Sequence, residues 1–102
     1  MHAISENHIL PEVHLHYCPA CGWMLRAAWL AQEILTTFTD EVGTVSLKPE
    51  REQAGLFQIW INDHLVWCRK QENGFPQPKE LKQRIRDLIS PHKNLGHADR
   101  KD

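Results

Sequence analysis

Cys18 and Cys21 are the residues whose type and spacing most clearly suggest chemistry in this sequence. Two thiols separated by two residues can be oxidised to a disulfide, and as thiolates they can also bind a metal ion. The chain contains 3 cysteines in all, an odd number that is too small for a framework of structural disulfides. The pair therefore indicates redox chemistry or metal binding rather than a disulfide-stabilised scaffold.

The two cysteines lie where the pattern of a strand gives way to the pattern of a helix. Residues 13–17 alternate between apolar or aromatic side chains and histidines, which predicts a strand. Apolar side chains then recur at helical spacing, and we expect a helix from about Pro19 to Phe38. Cys18 would cap the N-terminus of that helix, where free backbone amides and the helix macrodipole stabilise a thiolate and lower its pKa.

This position gives the two thiols different roles. A lowered pKa makes Cys18 the attacking nucleophile, and Cys21, one helical turn further along, can resolve the intermediate by closing an intramolecular disulfide. As an alternative, the two cysteines are only small core residues. In another, they bind zinc together with His14 and His16. Cys68 alternates within a later strand pattern and is expected to be a partly buried thiol, with a role as an additional redox partner left open.

The remaining apolar patterns predict three more strands and a second helix. In chain order they are Thr44–Lys48, Leu56–Asn62, His64–Lys70 and a helix carrying Leu81, Ile85, Leu88 and Ile89. The expected fold is α/β with the order β-α-β-β-β-α, in which a parallel first pair and a final hairpin form a mixed four-stranded sheet. Because the strands alternate, both helices are expected on one face, and Trp60 on the open face is a candidate contact residue.

The composition is that of a single globular domain. Hydrophobic residues make up 41% and charged residues 25% of the 102 residues, and the net charge of −1 indicates neither nucleic-acid nor membrane binding. The longest apolar run, Ala27–Ala31, is far shorter than the roughly 20 residues that span a bilayer. The N-terminal residues lack the pattern of a secretory signal, so a cytoplasmic location is expected. We expect one domain at residues 13–91, with flexible ends at residues 1–12 and 92–102.

Several stretches of the sequence resemble the selenoprotein W-like family, as a cysteine-containing member of the bacterial type. The matching stretches are Val13–Trp23, Phe57–Lys70, Gly74–Pro76 and Lys79–Ile89, and the similarity covers about residues 13–97. The resemblance implies a thioredoxin-like β-α-β-β-β-α fold and a thiol–disulfide redox function in cell redox homeostasis. It implies no bound cofactor, and it suggests glutathione or a redox protein such as thioredoxin as the partner, with glutathione as a candidate reductant.

The resemblance and the local electrostatics disagree about which thiol reacts first. Cys18 matches the family's first cysteine, whereas Cys21 matches the position that holds selenocysteine in selenium-containing members, which would make Cys21 the reactive residue. Helix electrostatics favour Cys18, and we predict Cys18 as the nucleophile. Thioredoxins proper also place a cis-proline just before the strand beside the motif, where residues 53–56 of this sequence read QAGL. Substrate docking is therefore expected to differ from that of thioredoxins.

Two functions other than redox cycling are also compatible with the sequence. In one, the protein is an interaction module whose open sheet face binds a partner protein or a second copy of the chain, and Trp60 marks the contact while the dithiol serves as a sensor. In the other, the histidines of the first strand and the two motif cysteines hold zinc. A homodimer is thus a candidate assembly, and thiol–disulfide oxidoreductase activity is the candidate enzymatic reaction.

Overall fold

A computed structural model of the chain describes residues 9–99. In this part of the chain the elements are β1 (Glu12–Tyr17), α1 (Met24–Thr37), β2 (Thr44–Pro49), β3 (Phe57–Ile61), β4 (His64–Cys68), α2 (Arg69–Glu72), α3 (Pro78–Ile89) and a 3-10 helix (Gly96–Asp99). The predicted order β-α-β-β-β-α is confirmed, and the one-turn helix α2 between β4 and α3 is an element that the sequence patterns did not indicate. No helix within these residues is long and apolar enough to cross a membrane.

The four strands form one mixed sheet in the order β2-β1-β3-β4. β1 pairs in parallel with β2 and antiparallel with β3, so that Leu15 lies between Leu47 and Ile59. β3 and β4 form the predicted antiparallel hairpin, and Asn62 in its turn has a φ of 50°. β1 is therefore an inner strand, and the motif that follows it emerges from the middle of the sheet.

One face of the sheet is covered by α1 and α3, as predicted. The side chains that β1 directs to this face, Val13, Leu15 and Tyr17, belong to a single buried cluster. The helices contribute Ala27, Leu30, Ala31, Ile34, Leu81 and Ile85 to the same cluster. The apolar spacing read from the sequence therefore describes a real core, which extends along β1 to Tyr17, the residue before Cys18.

The other sheet face carries the half-buried residues predicted for an open surface. His14 lies between Ser46 and Trp60 in the strand register, and the indole N–H of Trp60 donates to Oε1 of Gln58 at 3.0 Å. Binding of a partner protein or a second copy through Trp60 stays a prediction.

A register shift next to Trp60 corrects the prediction for β4. Simple alternation predicts that Leu65 and Trp67 lie on one face of the sheet and that Val66 and Cys68 lie on the other. The irregularity between Ile59 and Trp60 sets Leu65 opposite Trp60, and it allows Val66 and Trp67 to join the core cluster together.

Residues 92–99 contact the domain although they were expected to form part of a flexible tail. Lys93 pairs with Glu41 at 3.1 Å, and Leu95 packs against the core cluster. Asp99 accepts hydrogen bonds from Arg86 at 2.9 Å and from the Leu95 backbone N–H at 2.7 Å. Flexibility itself stays a prediction, and its parts at residues 1–8 and 100–102 lie outside the described residues.

Asp99 gives the fold a pH-dependent contribution to stability. The hydrogen bond from Arg86 lowers the pKa of the Asp99 carboxyl below its ordinary value. Such a group stabilises the fold above its unfolded-state pKa, and the contribution is lost as the pH falls through the lowered folded-state pKa. We therefore expect Asp99→Asn to reduce the free energy of unfolding at neutral pH, measured by urea denaturation, and the difference from wild type to disappear in acid.

Asparagine keeps an oxygen that can accept from the Leu95 backbone, so Asp99→Asn tests the charge rather than the turn. A difference from wild type that is equally large at neutral pH and in strong acid would contradict the role of the Asp99 charge.

Candidate functional site

The turn between β1 and α1 differs from the prediction. Helix α1 begins at Met24 rather than at about Pro19, and residues 19–22 form a turn in which the Gly22 N–H donates to the Pro19 carbonyl at 3.0 Å. Gly22 has a φ of 78°, a left-handed conformation that interrupts a right-handed helix and that glycine adopts without strain. Cys18 is therefore not the cap of α1, and Cys21 lies in the turn rather than in the helix.

The structure nevertheless brings the two predicted site cysteines together. Both are free thiols, and a hydrogen bond between them is the main cause of opposite shifts in their pKa values. Cys18 is 2% exposed, whereas Cys21 is exposed to solvent. Ala20 and Gly22 on either side of Cys21 are also exposed. The pair thus consists of one thiol held just below the surface and one thiol on a solvent-facing turn.

The hydrogen bond between the thiols separates their pKa values. Donation from Cys21 is the main cause that lowers the pKa of Cys18, with further donation from backbone N–H groups, first that of Gly55, while burial opposes the shift. The same hydrogen bond is the main cause that raises the pKa of Cys21, because the Cys21 proton is engaged by the Cys18 sulfur. When the pair loses its first proton, the negative charge therefore resides mainly on Cys18.

This direction agrees with the sequence analysis, but the cause is different. The sequence analysis attributed the low pKa of Cys18 to the N-terminus of α1. In the structure α1 begins at Met24, six residues after Cys18. The donors are instead the neighbouring thiol and the backbone N–H groups of Gly55, Cys21 and Ala20. A catalytic role for Cys18 and Cys21 stays a prediction at this point.

Gly55 is a site residue to which the sequence analysis assigned no role. It lies just before β3, where thioredoxins proper have a cis-proline, and no described residue of this chain has a cis peptide bond. Its N–H group donates toward both sulfurs, and its φ is 79°. The signal that could have identified it is a lone glycine next to the strand that pairs with β1.

Three aromatic rings form a cluster beside the thiol turn. Phe75 lies 5.0 Å from Trp23 and 5.0 Å from Phe57 between ring centroids, in edge-to-face arrangements. Two guanidinium groups cover the cluster, Arg26 at 4.2 Å from the Phe75 ring and Arg69 at 4.9 Å from the Trp23 ring. The cluster joins the start of α1, the start of β3 and the Gly74–Pro76 segment.

Cys68, the third thiol, is buried at the end of β4 and occupies the N-cap position of the one-turn helix α2. Burial raises the pKa of Cys68, but donation from the backbone N–H groups of Gln71 and Lys70 and from the Gln58 amide outweighs it, so the pKa is lowered. The Gln58 amide nitrogen lies 3.8 Å from the Cys68 sulfur. The prediction of a partly buried thiol agrees with this position, and an additional redox role stays untested.

The zinc hypothesis finds no supporting geometry in the described part of the chain. His14 contacts Ser46 and lies 3.3 Å from a Glu12 carboxylate oxygen. Within residues 9–99, no group of three or more histidine, cysteine, aspartate or glutamate side chains is placed to hold a metal ion. Cys21 lies on the turn after β1, whereas His14 and His16 lie within β1.

The sheet, the helices on one face and the CxxC turn after the inner strand define a thioredoxin-like protein with a dithiol motif. Residues 12–87 match the Rdx family, and the chain belongs to this family. The resemblance to selenoprotein W-like proteins is thereby confirmed. A selenoprotein W-related protein from Vibrio cholerae is 49% identical to this chain with a TM-score of 0.76, over 80% of this chain and 100% of that chain.

Other relatives extend the comparison. A protein of solved structure from Bordetella parapertussis is 44% identical with a TM-score of 0.76, over 79% of this chain and 100% of that chain. Migration and invasion enhancer 1 from Mus musculus is 32% identical over 82 residues, which are 80% of this chain and 64% of the mouse protein. Its Bos taurus counterpart is 28% identical over 75 residues, 74% of this chain and 62% of the bovine protein. The match thus spans slightly less than two thirds of these mammalian proteins.

Proposed function

We propose that the protein is a thiol–disulfide redox protein whose Cys18 and Cys21 cycle between a dithiol and a disulfide. The observation that carries the proposal is the hydrogen bond from the Cys21 thiol to the Cys18 sulfur. Such a bond supports the proposal, because it requires the two sulfurs to lie near each other and it favours ionisation of one of them. Both conditions are needed for attack on a disulfide followed by intramolecular resolution.

The proposed reaction transfers two electrons from the protein to a partner disulfide. The Cys18 thiolate attacks one partner sulfur, forms a mixed disulfide and releases the other partner sulfur as a thiolate, which takes up a proton. Cys21 then gives up its proton and attacks the Cys18 sulfur, which forms the Cys18–Cys21 disulfide and releases the second partner sulfur. In all, the protein loses two electrons and two protons, and the two partner sulfurs gain them as two thiols.

Ionisation and exposure favour different cysteines for the first attack. Cys21 is accessible, but it must transfer its proton before it can act as a nucleophile. Cys18 has the lowered pKa and is the first of the pair to ionise, but it is only 2% exposed. We assign the first attack to Cys18, because the turn that covers it contains the exposed residues Ala20 and Gly22 and can move without disturbing the core.

The proposed reductant is a thiol, either two molecules of glutathione or the dithiol of a redox protein. Two glutathione molecules would return two electrons and two protons to the Cys18–Cys21 disulfide and leave as oxidised glutathione. The cytoplasm, where such thiols are kept reduced, is the compartment in which we propose that the protein acts.

A redox titration tests the proposed cycle. The protein is equilibrated in buffers of different glutathione poise, quenched with acid, alkylated, and analysed by peptide mass spectrometry. We expect Cys18 and Cys21 to lose alkylation together along a two-electron curve, with a tenfold change in the dithiol-to-disulfide ratio for about 30 mV. The Cys68→Ser variant should give the same curve. Independent alkylation of the two cysteines at every poise would contradict the proposal.

A further inference from the structure

We propose that Arg69 is a positioning residue for the thiol pair, because its guanidinium group holds Gly55 in the orientation that directs the Gly55 N–H group toward the two sulfurs. The inference rests on the proposed function in one respect, since it concerns the same two thiols. It adds a residue on another element, the first residue of α2, to a site that is otherwise built from the turn after β1 and the loop before β3.

The guanidinium of Arg69 is held from two directions. Its Nη2 donates to the Gly55 carbonyl at 3.2 Å, and its Cζ lies 4.9 Å from the centroid of the Trp23 ring. Trp23 in turn packs edge-to-face against Phe57 at 6.4 Å and Phe75 at 5.0 Å. Arg69 therefore connects the loop before β3 to the rigid aromatic cluster at the start of α1.

Gly55 needs such an anchor because glycine does not restrict its own backbone. Its φ of 79° is one of several conformations that a glycine adopts at similar cost. A Cβ atom at this position would lie 3.6 Å from Nη2 of Arg69, an ordinary contact, so crowding does not hold the residue in place. The hydrogen bond from Arg69 to the Gly55 carbonyl limits how far the residue can move, and it thereby helps to keep the Gly55 N–H group near the two sulfurs.

An unpaired nitrogen atom of Arg69 also indicates that the position of its guanidinium group is set by the contacts with Gly55 and Trp23. Its Nε atom is buried and has no hydrogen-bond partner in the described part of the chain. Leaving a buried donor unpaired is unfavourable, and such groups in native structures call for an explanation. The guanidinium keeps this position, with one N–H group unsatisfied, because Nη2 bonds the Gly55 carbonyl and the group lies over the Trp23 ring.

Charge and geometry make different predictions for substitutions of Arg69. The positive charge of Arg69 also acts on Cys21 through space. Lysine keeps that charge, but its ammonium group lacks the planar fork that bonds the Gly55 carbonyl while stacking on Trp23. Arg69→Lys therefore separates positioning of Gly55 from simple electrostatic attraction, and Arg69→Gln removes both.

The experiment measures iodoacetamide alkylation of Cys18 in the full chain as a function of pH, with site assignment by peptide mass spectrometry. We expect both Arg69→Gln and Arg69→Lys to move the alkylation profile of Cys18 to higher pH and to slow the reaction at pH 7 about tenfold, as for loss of one donor to a charged acceptor. The matched control is Arg26→Gln, which removes the other guanidinium from the aromatic cluster but has no contact with Gly55 among the described hydrogen bonds. Its profile should stay within about twofold of wild type.

Two results would overturn the inference. One is a wild-type profile in Arg69→Lys, which would mean that charge alone acts. The other is an equal change in Arg69→Gln and Arg26→Gln. If circular dichroism shows that Arg69→Gln is unfolded, Arg69→Lys alone decides by the same criterion. Because the alkylation profile does not require a disulfide, a failure of the Cys18–Cys21 redox cycle would appear in the redox titration and not here.

Discussion

Cys18→Ser is expected to reduce disulfide exchange to the uncatalysed background, whereas Cys21→Ser is expected to stop the reaction one step later. A serine hydroxyl is not ionised near neutral pH, so the first variant lacks the attacking group. The second variant keeps the Cys18 thiolate but has no thiol to resolve the mixed disulfide. The measurement is incubation with a glutathione disulfide followed by intact-mass spectrometry, in which Cys21→Ser should accumulate one bound glutathione and Cys18→Ser none.

The donor role of Cys21 is tested by a second pair of variants. Cys21→Ala removes the S–H group that lowers the pKa of Cys18. Its Cys18 alkylation profile should therefore move to higher pH, with a rate at pH 7 about tenfold lower. Cys21→Ser keeps a hydroxyl donor and should lie closer to wild type. Accumulation of the mixed disulfide in Cys18→Ser instead of Cys21→Ser would show that the exposed thiol attacks first and would contradict our assignment.

Phe57→Ala should produce the largest loss of stability among substitutions near the site. Phe57 is 1% exposed and its ring lies 5.0 Å from that of Phe75. Truncating a buried phenylalanine costs about 3–5 kcal/mol, a large part of the roughly 5–15 kcal/mol that stabilises a typical domain. The measurement is the free energy of unfolding from urea denaturation. Leu25→Ala, at a position 75% exposed on α1, is the surface control and should change it by less than about 0.5 kcal/mol.

A second comparison relates the aromatic cluster to the thiols. Phe38→Ala truncates another phenylalanine, 0% exposed, and should cost a similar free energy. Phe57 lies two residues from Gly55, whereas Phe38 lies at the far end of α1. We therefore expect only Phe57→Ala to change the alkylation profile of Cys18 in the fraction that remains folded. A cost below about 1 kcal/mol for Phe57→Ala would show that the cluster is not tightly packed.

The sequence predicted the elements of the fold well because their patterns are local. Alternation in β1 and β3 and the helical spacing from Ala27 to Ile34 describe side chains that meet in one core. The start of α1 was predicted too early because Pro19 suits a first helical turn, and the left-handed φ of Gly22 cannot be read from residue types alone. The order of elements, the sheet and the family resemblance did not depend on that boundary.

Of the residues in the candidate site, only the two cysteines could be predicted from the sequence. Their spacing is visible in the sequence, but the groups that surround them come from distant segments. Gly55 and Arg69 are 14 residues apart, and neither lies in a pattern that involves Cys18. Strand pairing brings them together, because β3 lies beside β1 and β4 lies beside β3. The irregular register next to Trp60 likewise depends on the pairing and not on either strand alone.

The inner position of β1 has a mechanical consequence for the two sulfurs. Backbone hydrogen bonds to β2 and β3 hold β1 on both sides, so the residue that follows β1 is attached to a strand that is restrained at both edges. The turn that carries Cys21 has one described backbone hydrogen bond within it, from Gly22 to Pro19. Closing and opening a bond between the sulfurs would then deform the turn and leave the sheet in place. A molecule that distinguishes the two oxidation states would do so from the shape of residues 19–22.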